Sequence, residues 1–353
     1  MNENIKNAIS KFDSKNVLGS VELFSKQCEL AWNAGNENKK QNGVKNILVC
    51  GMGGSALGAY ILQSLNIFTA PINMSHDYTI PAWVGSGTLV LAMSYSGGTE
   101  ETLSATQKAI DAGAEVVVIT VGGELKNIAE KNNLELHLID VSANPCGQPR
   151  FGVGSMMMEI LKVCIDHGVC NLKKEEVGNA LEELTNYNPH PASPEGRGGT
   201  QLEKVWAEAE KLKDRMPVLV YAEHLTNLGR FTRNQIHETA KELAIFHEIP
   251  ELNHHLMEGL TYPDTNKDKL YFVFFESNLY SAKIMKRIAV TKDVLDKQGI
   301  QYMSIGMDGA TPLSQALIGM LHAMYIAYSL SLIHEKDPSD IPWVNYFKEQ
   351  LNK

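Results

Sequence analysis

Cys50-Gly51-Met52-Gly53-Gly54-Ser55-Ala56-Leu57-Gly58 and Ser94-Tyr95-Ser96-Gly97-Gly98-Thr99-Glu100-Glu101-Thr102 are the two stretches whose reading decides the fold. Each follows a short apolar run, Asn46–Cys50 (NILVC) before the first and Thr88–Met93 (TLVLAM) before the second. Each leads into a helical pattern. Strand, glycine turn and helix is the geometry that aims backbone N–H groups and a helix N-terminus at an anion. Glycines allow close backbone approach, and hydroxyls add short hydrogen bonds to phosphate oxygens. Two such loops are expected to converge at the carboxyl ends of neighbouring parallel strands, where open α/β sheets hold their ligands. The expectation is a phosphate site without a nucleotide.

A dinucleotide fold is the first alternative. Gly51-Met52-Gly53-Gly54 resembles the start of a G-x-G-x-x-G fingerprint, and Asp77 could stand for the ribose acid. That reading leaves the second loop, with Ser94, Ser96 and Thr99, unexplained. A P-loop is ruled out because Ala56 and Leu57, and no lysine, follow Ser55. The remaining alternative is a pair of ordinary βα turns.

At 353 residues the chain can hold two domains with their own cores. Apolar residues make up 44% and charged residues 21%, the mix of a globular protein. The net charge of −9 argues against nucleic acid as a partner. An acidic protein that binds an anion must do so with local N–H groups and a few placed cations. The five cysteines (Cys28, Cys50, Cys146, Cys164 and Cys170) are scattered and form no C-x-x-C pair. This fits a reducing cytoplasm with buried thiols, not a disulfide scaffold or a zinc site. The opening Met1-Asn2-Glu3-Asn4-Ile5-Lys6 lacks the apolar core of a signal peptide, so a cytoplasmic location is expected. The greasiest stretch, Leu317–Ile333, contains His322 with several serines and tyrosines, and reads as a buried helix with no membrane role.

Residues up to about Asn42 read as helical and amphipathic. Strands are expected at Asn46–Cys50, Ile72–Ser75, Thr88–Met93, Glu115–Thr120 and Glu135–Ile139, with helices at Ser55–Leu65, Thr99–Ala112 and Glu124–Asn132. This alternation implies a parallel sheet with right-handed crossovers. Helices at Gly154–Cys170, Lys173–Tyr187 and Gln201–Asp214 then flank a Pro/Gly-dense loop, Asn188–Thr200. A second α/β unit follows. Its strands are Pro217–Tyr221, Lys269–Phe275 and Gln301–Ile305, and its helices are Thr226–Leu243 and Ile284–Lys297. Helices at Pro312–Ile333 and Trp343–Leu351 close the chain. The expected boundaries are 1–153 for the first domain, 154–215 for linking helices and the Pro/Gly loop, and 216–353 for the second domain. The second half repeats the architecture but not the Gly-Gly-Ser and Ser-x-Ser loops, so its task differs.

Groups that act on the rest of the ligand are sought in that second half. Ile236-His237-Glu238-Thr239-Ala240-Lys241 lies in an expected helix, and Pro250-Glu251-Leu252-Asn253-His254-His255 follows in a loop. A carboxylate and a histidine brought together by a helix–loop unit are suited to proton transfer. The plainer alternatives are an i,i+3 surface pair between Glu238 and Lys241 and a satisfied loop histidine at His254. No H-x-x-x-H or carboxylate cluster completes a metal site around His254 and His255, so no metal is expected. Arg150, after Gly147-Gln148-Pro149, could meet a phosphate or a developing enediolate. It could equally be a surface cation at a helix start.

Together these residues resemble the sugar isomerase (SIS) domain proteins, and more closely the bifunctional phosphoglucose/phosphomannose isomerase family of the phosphoglucose isomerase superfamily. The matching segments are Gly51–Ser55 with Gly58, Ser94–Thr99, Pro149-Arg150, Glu238-Thr239-Ala240-Lys241, Pro250–His254 and Phe347-Lys348. The resemblance implies an α/β fold of two SIS-type, doubly wound parallel-sheet domains, flavodoxin-like αβα sandwiches with linking and C-terminal helices. It implies an aldose–ketose isomerase acting on fructose 6-phosphate. Gly53, Gly54, Ser55, Ser94, Ser96 and Thr99 would hold the 6-phosphate. Glu238 would move a proton between C2 and C1 through a cis-enediol, and Arg150 would stabilise its negative charge. His254 and Lys348 would assist ring opening. The family is metal-independent and needs no cofactor. Its homodimer shares the active site, with the histidine supplied by the neighbouring subunit. Another SIS enzyme, such as an amino-sugar isomerase or a phosphosugar lyase, and a non-catalytic phosphosugar sensor are the alternatives. The chain departs from the family pattern at Thr239, where asparagine is usual, and at His255, where asparagine usually follows the histidine.

Overall fold

The computed structural model describes residues 1–35, 43–187 and 198–351. Most of the expected Pro/Gly loop at Asn188–Thr200, and residues 36–42 of the expected N-terminal helical region, lie outside the described residues. Three helices open the chain: α1 (Glu3–Phe12), α2 (Val17–Glu22) and α3 (Phe24–Asn33). Two compact units follow from the packing, one spanning Leu23–Asn186, the other joining Met1–Glu22 to Tyr187–Lys353.

The Leu23–Asn186 unit alternates strand and helix: β1 (Asn46–Gly51), α4 (Gly54–Ser64), β2 (Ile72–Ser75), β3 (Thr88–Ser94), α5 (Glu100–Asp111), β4 (Glu115–Thr120), α6 (Gly123–Lys131) and β5 (Glu135–Leu138). Helices α7 (Val153–Asp166) and α8 (Lys174–Tyr187) end the run. All five strands are parallel, in the order β2-β1-β3-β4-β5. Central strand β3 is buried at every position, as expected of a strand covered on both faces. One face packs Leu48, Val90, Ala92 and Val118 against Ala105, Ala109, Leu125 and Ala129 of α5 and α6. Helix α7 packs on α3 and α4. Gly58 permits this, since a Cβ there would fall 2.8 Å from the Met157 Cβ. Packing therefore places α7 and α8 with the first sheet, so this grouping differs from the sequence boundaries at 153 and 215.

The other unit contains α9 (Gly198–Glu210), β6 (Met216–Ala222), α10 (Thr226–Gln235), β7 (Ile245–Ile249), α11 (Leu256–Gly259), α12 (Asn266–Lys269), β8 (Leu270–Ser277), α13 (Ala282–Gln298), β9 (Gln301–Met307), α14 (Pro312–Ile333) and α15 (Pro342–Leu351). Its four parallel strands run β7-β6-β8-β9, the first four places of the same winding order. Strand β7 was not expected. It is an edge strand with a partly exposed burial pattern, and His247 and Glu248 interrupt its apolar signal. The expected helix Thr226–Leu243 stops short, passing at Ile236 into a single π-turn that ends at Ala240. Helix α14 is buried almost throughout and packs against α1, α2, α9 and α10. Among the described residues it is the one helix long and apolar enough to cross a membrane by length and composition, and 94% of that window is buried inside the protein.

The first unit also buries charge. His137 on β5 bonds through Nδ1 to Glu159 Oε2 and through Nε2 to Glu135 Oε1, each at 2.8 Å. Lys162 Nζ pairs with Glu159 at 2.8 Å and donates to the Ala31 carbonyl at 2.9 Å. His167 Nε2 meets Glu115 at 3.2 Å. With a carboxylate at each ring nitrogen, His137 is set up to donate twice, as imidazolium. Burial opposes that charge, but the bonds to Glu135 and Glu159 outweigh it, so the His137 pKa is raised. His167 is raised likewise: burial opposes its charge, but the bonds to Glu115 and the Val163 carbonyl, with the nearby Glu135 and Glu115 charges, together outweigh it. A raised histidine stabilises the fold below its unfolded-state value, and this contribution is lost as pH rises through the folded-state value. Stability against urea should therefore fall as the pH climbs above about 6.5, and His137→Gln should flatten that fall. Parallel pH dependences for the two proteins would mean that the imidazolium contributes nothing.

Candidate functional site

The first sheet reverses its winding between β1 and β3. Crossovers leave these neighbours in opposite directions, so the loops beyond their carboxyl ends diverge and leave a crevice. Both glycine–serine stretches sit there. In the first, Gly53 adopts φ 52° and ψ −128°, a conformation open to glycine, and α4 begins at Gly54. Ser55 is buried, and its Oγ accepts a hydrogen bond from the Tyr95 backbone N–H at 3.1 Å, joining the two loops. In the second, the buried Ser94 hydroxyl lies 2.9 Å from Thr99 Oγ1 and accepts from the Gly97 N–H at 3.1 Å. Ser96 is exposed, and half-buried Thr99 directly precedes α5.

A third loop supports the second. Gly97 has φ +73°, and a Cβ there would lie 1.7 Å from the Gly122 carbonyl oxygen. The Leu125 N–H donates to Gly97 O at 2.9 Å, and the Val121 N–H to Tyr95 O at 3.2 Å. Sequence reasoning passed over Gly122-Gly123, although the pair follows a strand and precedes a helix as the other two stretches do.

Arg150 belongs to the same unit. It sits in a 3-10 turn, Pro149–Phe151, and is 4% exposed. The turn presses against the first loop so closely that a Cβ on Gly54 would come 3.3 Å from the Arg150 Cα. Arg150 Nη1 donates to Gln148 Oε1 at 3.2 Å, and the guanidinium lies 5.2 Å from the Phe151 ring centroid. Asn144 Nδ2 donates both to the Tyr95 hydroxyl at 2.9 Å and to Gln148 O at 3.0 Å, tying the arginine turn to the second loop. Burial raises the Tyr95 pKa, opposed in part by the Asn144 bond, so the phenol stays neutral. On the other side, His76 Nδ1 bonds the Gly51 carbonyl at 2.7 Å and its Nε2 meets the Tyr60 hydroxyl at 2.6 Å. Gly53, Gly54, Ser55, Ser94, Ser96, Thr99 and Arg150 are thus gathered at one end of one sheet.

The remaining candidates lie in the other unit. Glu238 occupies the π-turn Ile236–Ala240 and is half-buried. Single π-turns within helices are frequent at functional sites because they re-aim side chains. Glu238 lines a cavity of about 700 Å³ with Lys241, Asp337, Ile341 and Trp343. His254 ends a 3-10 turn, Glu251–His254, and is exposed. Lys348 is exposed on α15, a helix in which no residue is buried. Neither His254 nor Lys348 is among the residues lining that cavity. The reversal point of this second sheet, between β6 and β8, is filled by side chains. Gln315 Oε1 accepts from Ser277 Oγ and lies 2.9 Å from His224 Nε2, while Gln315 Nε2 donates to Asn278 Oδ1 at 2.8 Å. Burial lowers the His224 pKa despite the Gln315 bond, so this packed network is neutral.

Two doubly wound parallel sheets, with serine–glycine loops at the reversal point of the first, define an SIS-type α/β protein. Residues 203–351 match the family model described as the bacterial phospho-glucose isomerase C-terminal SIS domain. A bifunctional phosphoglucose/phosphomannose isomerase of Thermoplasma acidophilum is 30% identical over 309 residues, covering 87% of this chain and 90% of that one. One of Caldicellulosiruptor bescii is 28% identical over 349 residues, covering 94% and 98%. Among solved structures, a hypothetical protein from Thermus thermophilus superposes with a TM-score of 0.71 at 19% identity, covering 99% of this chain and 93% of that one. The chain belongs to the bifunctional phosphoglucose/phosphomannose isomerase family, and it is a sugar-phosphate isomerase.

Gly97 offers a test of the expected anion site. Gly97→Ala combines left-handed backbone strain of about 1–2 kcal/mol with a clash against the Gly122 carbonyl. It should weaken binding of inorganic phosphate by more than about tenfold, or about 1.4 kcal/mol, in a calorimetric titration. Unchanged phosphate affinity would remove the second loop from the anion site.

Proposed function

We propose that the enzyme interconverts fructose 6-phosphate with glucose 6-phosphate and mannose 6-phosphate through a cis-enediol intermediate, without a metal ion. The observation that carries this reading is the gathering of Ser55, Ser94, Thr99 and Arg150 at one sheet end. The π-turn placement of Glu238 beside a cavity adds to it. In this reading the backbone amides at Gly53 and Gly54, with the hydroxyls of Ser55, Ser94, Ser96 and Thr99, bind the 6-phosphate at the start of α4 and α5.

The chemistry follows from where charge develops. From an opened aldose, the Glu238 carboxylate removes the proton on C2. The C2–H electron pair forms the C1–C2 double bond, and the C1 carbonyl becomes an enediolate oxygen. Arg150, fixed by its turn and fully charged, stabilises that oxygen more than it stabilises the neutral carbonyl. Return of the proton to C1, with transfer of the hydroxyl proton between the oxygens, leaves the ketone at C2. Because C2 is planar in the enediol, return of a proton to either face of C2 yields glucose or mannose stereochemistry from one intermediate. His254 and Lys348 exchange the ring-oxygen and C1-hydroxyl protons needed to open the ring. The resemblance further supports a homodimer in which His254 serves the neighbouring copy's site.

The test is a coupled assay of EDTA-treated protein with fructose 6-phosphate, following glucose 6-phosphate and mannose 6-phosphate separately. Both products should form. Retention of substrate binding with no product would overturn the isomerase reading, and loss of activity on EDTA treatment would overturn metal independence. Glu238→Gln should abolish turnover while fructose 6-phosphate still binds; wild-type turnover in that variant would dismiss Glu238 as the base. Ser55→Ala breaks the bond to the Tyr95 amide as well as a phosphate contact, and should raise KM about tenfold with little change in kcat.

A further inference from the structure

Lys241 directly follows the π-turn that carries Glu238, and its backbone is left-handed, with φ 58° and ψ 28°. This conformation is uncommon for a residue with a side chain and needs compensation from its surroundings. Two bonds from the side chain supply it. Lys241 Nζ donates to the Thr239 carbonyl at 2.8 Å, at the open C-terminal end of the turn, and also to the Asp337 carbonyl. A cation at a helix C-terminus satisfies an orphan carbonyl and complements the dipole.

Asp337 is itself tightly held. Its Oδ1 accepts from the Ser339 N–H and the Ser339 hydroxyl, both at 2.7 Å, and its Oδ2 accepts from Ser14 Oγ. The next residue, Glu242, bonds His334 Nε2 at the end of α14. Lys241 and Glu242 therefore hold the start and the middle of the connection between α14 and α15, at His334 and Asp337. Helix α15 follows this connection and has no buried residue. That helix carries Lys348.

We propose that Lys241 is a positioning residue of the isomerase. It fixes the turn of Glu238 against the segment that leads into the helix bearing Lys348, and so sets the aim of the base for proton transfer. The proposal rests on the functional reading given above. A plain helix cap would need only the Thr239 bond, which a glycine in the same left-handed conformation could replace by relieving strain. The Asp337 bond reaches beyond the turn to the segment between α14 and α15. It is the part that glycine or a neutral side chain loses.

The test uses the full chain with Lys241→Met, which keeps the stem and removes the ammonium, and Lys241→Arg, which keeps the charge. With Lys241→Met, kcat for fructose 6-phosphate should fall at least tenfold while KM changes less than twofold, because the phosphate loops belong to the other unit. The primary deuterium isotope effect on kcat with glucose 6-phosphate labelled at C2 should rise, since proton transfer becomes rate-limiting. Lys241→Arg should recover part of kcat. An unchanged kcat in Lys241→Met would overturn the proposal. So would a fall matched by loss of folded protein, measured by active-site titration, with an unchanged isotope effect. Failure of the functional reading shows separately: full activity in Glu238→Gln, or no activity in the unmodified enzyme, overturns both.

Discussion

The close approach of three glycine loops at the end of the first sheet is the constraint on which the rest depends. Gly54 lies on the backbone of Arg150, Gly97 lies on the carbonyl of Gly122, and Gly51 packs 3.0 Å from the Met93 carbonyl when a Cβ is imagined on it. A side chain at Gly97 would clash outright, and one at Gly54 or Gly51 would force its neighbour to give by a few tenths of an ångström. The loops can meet only because parallel strands send consecutive turns to the same end of the sheet, and the reversal between β1 and β3 spreads two of them apart. The hydroxyls of Ser55 and Ser94 then bind neighbouring backbone before any ligand arrives. Such preorganisation lowers the ordering cost of binding an anion.

The two units show how one winding order serves different ends. In the first, the reversal point is lined by glycines and hydroxyls. In the second, Gln315 from the first turn of α14 fills the corresponding place and is held by His224, Ser277 and Asn278. The second unit's candidate carboxylate, Glu238, lies elsewhere, on the π-turn Ile236–Ala240. Here the helix ends early because the chain must turn into β7, and the left-handed Lys241 makes that turn.

Much of the architecture was legible because parallel strands buried on both faces read as continuous apolar runs. Ile72–Ser75, Glu115–Thr120 and Pro312–Ile333 match the expected spans residue for residue. Strand β7 escaped because an edge strand is partly wet, so its sequence mixes Phe246 with His247 and Glu248. The glycine–serine loops could be recognised since backbone approach demands glycine whatever surrounds it. Gly122-Gly123 carried the same local signal, but its role is to support another loop, and a sequence does not say which loops touch.

The sequence by itself determined the local chemistry: which turns must be glycine, which strands must be buried, and which carboxylate, arginine and lysine were available. Tertiary structure decided what those groups meet. Helix α7 packs on α4 of the first unit because Gly58 opens a surface for Met157. Arg150 is held over the first loop by a turn whose partners, Asn144 and Tyr95, come from separate segments. Lys241 bonds a carbonyl 96 positions away in the chain. The physical reason is that propensity and periodicity act over a few residues, whereas hydrogen bonds and steric fit act between whichever groups the fold brings within about 3 Å.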